Sequence, residues 1–171
     1  MLTVLNRVYA AGAVLAALCM ILIALLTLVQ IIGRLLGMLI IDAGEFAGFA
    51  MAGSIFFALA HTLRTGGHIR VNLLISRLRG PMRRLVEIWC LGLAIVLSGM
   101  FAIYSVRMVI DSYTFNDIST GMMPVPLWIP QSTMAAGAIL FVIALIHEFV
   151  LVMRGEQAGY MTGEGSEEFT E

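Results

Sequence analysis

Val8-Tyr9-Ala10-Ala11-Gly12-Ala13-Val14-Leu15-Ala16-Ala17-Leu18-Cys19-Met20-Ile21-Leu22-Ile23-Ala24-Leu25-Leu26-Thr27-Leu28-Val29-Gln30-Ile31-Ile32-Gly33 carries no charge, and Thr27 and Gln30 are its most polar members. A helix needs about 20 apolar residues to cross a hydrocarbon core of about 30 Å, and this run is longer than that. It is also about twice the length of a signal-peptide h-region, and no small-residue cleavage site with a polar sequence behind it follows. A retained anchor is expected. Outward from it, residues 46–63 and 88–106 form two more uncharged runs. A fourth span, about 130–153, opens at Pro130, whose missing N–H would have no partner in a first helical turn. Over all 171 residues, 60% are hydrophobic and 12% charged. Soluble domains run near 45–50% and about 25%, so there is too little charge here to clothe a water-soluble surface. The expected fold is an all-α membrane protein with four transmembrane helices, residues 1–154 forming its membrane domain.

The charges that remain set the orientation. Ten Arg and no Lys stand against eleven acids, for a net charge of −1, which excludes the basic surface a nucleic-acid partner would require. Arg64, Arg70, Arg77, Arg79, Arg83 and Arg84 crowd the link between spans two and three. Positive residues in short loops stay cytoplasmic, so that link belongs inside. With four spans both termini share its side, adding Arg7 and Arg154, and only Arg34 and Arg107 fall outside. An N-in/C-in protein is expected.

Within the central link, Val71, Leu74, Ile75 and Leu78 recur at helical spacing while Arg70 and Arg77 lie off that stripe. A short amphipathic interfacial helix fits this pattern, with Gly66-Gly67 and Gly80-Pro81 as the turns around it. A plain loop whose Arg residues only set topology is the other reading. The outer link, residues 111–129, combines turn formers with Pro124, Pro126, Trp128 and, at its edge, Pro130. The prolines preclude a regular helix there, while Trp128 and Tyr113 suit the water–membrane boundary. That link is either a boundary turn or a shaped surface that docks something outside. Arg34 and Glu45 flank the first outer hairpin and could pair or reach separately into headgroups. His61 and His147-Glu148 stand near inner span ends rather than at mid-span, where an ionisable group would point to transport chemistry. Cys19 and Cys90 have no metal or disulfide spacing and read as packing residues. Residues 155–171 form an acidic, Gly-rich tail expected to be disordered. No nucleophile set, phosphate loop or metal cluster occurs, so neither an enzyme nor a cofactor is expected, and no catalytic, substrate-binding or metal residue is assigned.

Two classes survive: a small four-helix exporter acting alone as a homodimer, or a non-catalytic subunit supporting a larger membrane partner. The exporter needs a mid-membrane coupling group that these spans lack, which favours the subunit. The chain resembles the small membrane (DctQ-like) subunit of tripartite ATP-independent periplasmic (TRAP) transporters. Three segments carry the resemblance: Gln30-Ile31-Ile32-Gly33-Arg34 with Glu45; Leu63-Arg64-Thr65-Gly66-Gly67-His68-Ile69-Arg70-Val71; and Ser119-Thr120-Gly121 with Pro126-Leu127-Trp128-Ile129-Pro130-Gln131. It covers about residues 1–154 and departs from the family pattern at Asn72, where members often carry an acid, and before Glu45, where many carry an aromatic residue.

The resemblance implies a scaffold rather than a conduit. A large polytopic membrane subunit would hold the substrate and sodium sites, and a periplasmic solute-binding protein would deliver an organic acid. This chain would brace the large subunit in the cytoplasmic (inner) membrane, as a separate polypeptide because it stops soon after span four. Candidate interface or structural residues are Arg34, Glu45, His68, Arg70, Trp128 and Pro130. Membrane lipids are expected partners of Arg70, Arg77, Arg79, Arg83 and Arg84.

Overall fold

A computed structural model of the chain describes residues 2–38, 42–64 and 81–154. Four long helices account for most of them: α1 (Leu2–Leu35), α2 (Ala43–Arg64), α3 (Pro81–Thr114) and α4 (Trp128–Arg154). All four are long and apolar enough to cross a membrane, and no strand beyond one isolated bridge occurs among the described residues. The all-α, four-span expectation holds. The expected interfacial helix and the acidic tail lie outside the described residues.

The helices extend past the apolar runs. α1 and α3 have 34 residues each, or about 50 Å at a rise of 1.5 Å per residue, well beyond a hydrocarbon core of about 30 Å. Hydropathy marks only the stretch that lipid tolerates, whereas helical hydrogen bonding continues through Glu87, Arg107 and Asp111 near the ends of α3. Pro81 starts α3 at the one position where its lack of an N–H costs nothing.

Packing runs α1 on α2, α2 on α4 and α4 on α3, so the helices form a row with α1 and α3 at its edges. Burial follows that order: 28% and 33% of the apolar windows of α2 and α4 are buried, against 11% for α1 and for α3. Small residues make the close approaches possible. Gly12 of α1 lies against the carbonyl of Phe57, and Gly137 of α4 lies directly on the backbone of Phe56. In lipid, helices associate through van der Waals packing rather than by expelling water, so backbones that approach closely gain most. Phe56 also stacks on Phe101 of α3, with ring centroids 5.5 Å apart. Where the termini lie, Tyr9, Ala60, Leu63, Leu91, Ala144, Leu145 and Val152 form one buried cluster drawn from all four helices.

Five hydroxyls within the helices are satisfied locally. The hydroxyls of Thr27, Thr62, Ser98, Ser105 and Thr114 donate to carbonyls four residues back, which removes the cost of an open donor in hydrocarbon.

Candidate functional site at the loop end of the row

One end of the row carries the α1–α2 and α3–α4 connections, and its backbone is tightly specified. α1 closes with the N–H of Met38 on the carbonyl of Gly33 (2.8 Å) and that of Gly37 on Arg34 (3.2 Å). This Schellman arrangement requires a left-handed residue, supplied by Gly37 at φ 72°. α3 ends in the same way, with Asp117 N–H on the Ser112 carbonyl (3.0 Å) and Asn116 at φ 54°. Asparagine is among the few side chains that tolerate that region.

Asp42 is the third left-handed residue, at φ 60°. Its carbonyl accepts from the N–H groups of Glu45 and Phe46, so it starts α2. Its carboxylate is turned across the chain and accepts the N–H of Met123 at 2.5 Å. Glu45, one turn on, lies against Gly121, where an added Cβ would overlap Glu45 Oε2 and stand 3.1 Å from Asp42 Oδ1. Two acids at the N-terminus of α2, where negative charge is favoured by the helix dipole, thus cradle residues 121–123.

The cradled loop is closed on itself. Ile118 and Pro126 form an antiparallel bridge, with Ser119 N–H on the Val125 carbonyl (2.8 Å) and Leu127 N–H on that of Asp117 (3.0 Å). The buried Ser119 hydroxyl accepts from Val125 N–H at 3.2 Å, and Ser112 donates to Asp117 at 3.3 Å. The loop tip is apolar and open: Met122 is 77% exposed and Met123 57%, with Phe115 and Ile118 beside them. Trp128 meets Tyr113 edge to face at 5.9 Å, tying the first residue of α4 to the last turn of α3. Pro130 sits in the first turn of α4, as its missing N–H requires.

The structure brings together two of the three segments singled out in the sequence, Glu45 with Ser119-Thr120-Gly121. It does not bring Arg34 to Glu45: Arg34 is exposed at the end of α1, and no ion pair joins the two among the described residues. His68, Arg70, Arg77 and Arg79 lie outside the described residues, and Arg83 and Arg84 fall in the first turn of α3. Cys19 is half-buried but Cys90 is exposed, so Cys90 does not pack inside the chain as expected.

Asp42 was not singled out, although it stands three residues before Glu45, and Ser119 was read only as the opening of a motif. Nor was the burial of Glu148 anticipated. It is 0% exposed, on the α4 face shared with Ala144, Leu145 and Val152, at the end of the row where the termini lie. His61 and His147 nearby are half-buried. No group of three or more metal-ligating side chains occurs among the described residues.

Four helices long and apolar enough to cross a membrane, joined at one end by a hydrogen-bonded loop, define a multi-pass membrane protein. The chain matches the family described as tripartite ATP-independent periplasmic transporters, DctQ component, over residues 23–155. It belongs to that family, a transporter component of the inner membrane and not an enzyme. A relative from Rhodobacter capsulatus, the C4-dicarboxylate TRAP transporter small permease protein DctQ, is 29% identical over 84 residues. That alignment covers 49% of this chain and 37% of the relative, so the chain is matched to well under half of that protein's length. No solved structure matches.

Proposed function

We propose that this chain is the small permease subunit of a sodium-driven, binding-protein-dependent transporter for an organic acid, holding the large transport subunit in place. The observation that carries the proposal is the family match over residues 23–155, joined to a row of helices whose two edges bury little of their own apolar surface. Edge helices of this kind, α1 and α3, offer long apolar faces to a membrane partner. The name of the Rhodobacter capsulatus relative supports an organic acid as the cargo. The Arg distribution supports placing the loop end outside and both termini in the cytoplasm, with the basic link lying along the inner headgroups. Attraction of its Arg77, Arg79, Arg83 and Arg84 to anionic lipid is worth about 1 kcal/mol each at most, with His68 and Arg70 anchoring the same segment.

In that orientation the apolar tip at Met122-Met123 faces the periplasm. It forms part of the docking surface for the large subunit or the solute-binding protein, shaped by Trp128 and Pro130. Glu45 holds the loop that carries this surface, and Arg34, exposed at the adjoining end of α1, reaches into the headgroups. Purification in mild detergent tests the reading: a large polytopic chain should co-purify at fixed stoichiometry. A stable homodimer that transports unaided in liposomes would instead establish the exporter. Glu45→Ala should reduce assembly or uptake; unchanged values for both would remove its role.

A further inference from the structure

Beside the cradle, and within the depth of the spans, α1, α2 and α4 enclose an apolar groove of about 340 Å³. Its walls are Leu22 and Leu26 of α1, Phe46 and Phe49 of α2, and Ile129 at the start of α4, with Gly53 in its floor. The absent side chain at Gly53 keeps the floor open, because a Cβ there would stand 3.3 Å from Cys19 Sγ and 3.6 Å from the Thr133 hydroxyl. That hydroxyl is itself committed, donating to the Pro130 carbonyl at 2.7 Å.

We infer that this groove is a binding site for one acyl chain of a membrane phospholipid. Three observations choose that occupant. First, the walls are hydrocarbon, so the groove rewards an apolar guest and offers nothing to a hydrogen-bonding one. Second, its shape is that of a slot: the lining runs from Leu26 to Cys19 on α1 and from Phe46 to Gly53 on α2, about 10 Å along each helix at 1.5 Å per residue. Val125, Ile129 and Pro130 line its loop end, and from there it extends along the helix axes, as an acyl chain does, whereas a side chain from a neighbouring helix would enter across them. Third, Arg34 stands exposed about two turns beyond Leu26 on α1, toward the loop end of the helix, from where an arginine can snorkel to a phosphate. The inference rests on the membrane-spanning fold alone and not on the proposed transport role.

The test reconstitutes the chain with whatever partner co-purifies into vesicles of phosphatidylethanolamine and phosphatidylglycerol. A trace of phosphatidylethanolamine bearing a photoactivatable diazirine on its acyl chain is included, and the labelled peptides are mapped by mass spectrometry. Labelling should concentrate on residues 19–26 and 46–53 above the exposed face of α3 at Val96, Leu97 and Met100. Leu22→Trp, at a side chain 48% exposed, should fill the slot and cut that labelling several-fold while leaving α3 labelling unchanged, which also reports an intact fold. Labelling spread over α1 and α3 in proportion to exposure would overturn the site, since that is bulk lipid. So would an unlabelled groove in which a photoreactive residue at Phe49 cross-links to a partner chain, showing a protein occupant.

Discussion

Gly137→Ala should split the row at its centre. A Cβ on Gly137 would come within 2.6 Å of the Phe56 carbonyl carbon and 2.7 Å of its oxygen, where ordinary contact begins at 3.4 Å. The obstacle is backbone, which cannot rotate away, so α2 and α4 must move apart by nearly 1 Å. A gap of that size forfeits a quarter to a half of each dispersion contact across the interface, and overpacking of this kind costs about 1–3 kcal/mol. The position amplifies the effect, because α1 is attached through α2 and α3 through α4. Gly99 of α3 is the control: nothing lies within 4 Å of its would-be Cβ, so Gly99→Ala should be neutral or gain up to about 1 kcal/mol in helix propensity. The assay is thermal unfolding of the purified protein in mild detergent, followed by the thiol reactivity of half-buried Cys19 in a Cys90→Ala background. Gly137→Ala should lower the midpoint and Gly99→Ala should not. A Gly137→Ala midpoint at or above wild type would refute the close-packed α2–α4 interface.

Asp42→Ala removes the carboxylate that accepts the Met123 N–H; a charge-assisted bond worth about 1.5–3 kcal/mol predicts exchange of that amide about ten-fold or more faster, and an unchanged rate would free the loop from the cradle. Trp128→Ala deletes the contact with Tyr113, worth about 0.5–1.5 kcal/mol beyond buried area. It should weaken assembly with the large subunit, and intact assembly together with intact transport would remove Trp128 from the docking surface. Reporters active only in the cytoplasm, fused to either terminus, should both be active; an inactive C-terminal fusion would invert or break the proposed topology.

How much of the molecule was legible beforehand follows from the range of the forces involved. Four helices could be read because a bilayer imposes a local rule: each backbone polar group must be satisfied within its own segment, so about 20 uncharged residues become a helix whatever surrounds them. Pro130 marked a helix start for an equally local reason, and Pro81, read as part of a turn, opens α3 in the same way. The first turn demands no N–H from either, and both fall within one. The helix ends were less legible, since hydrogen bonding carries α3 to Thr114 through charged residues that hydropathy treats as a boundary.

What depends on distant neighbours was hidden. Arg34 and Glu45, about ten residues apart, could be read as a pair or as separate headgroup contacts, and neither reading points to Gly121, which Glu45 faces from seventy-six positions away. The sequence does contain both motifs, but nothing in their local chemistry says that they meet. Glu148 looked like an ordinary charge near a span end, yet it is fully buried on the α4 face whose Ala144, Leu145 and Val152 pack into a cluster drawn from all four helices. By itself the sequence determined the number of helices and the scarcity of charge within them, because those follow from lipid acting on one segment at a time. Only the tertiary structure decided the α1–α2–α4–α3 order, the acidic cradle under the loop and the slot beside it. Each of these depends on which small residues let two backbones touch, and that is a property of pairs of helices rather than of any one.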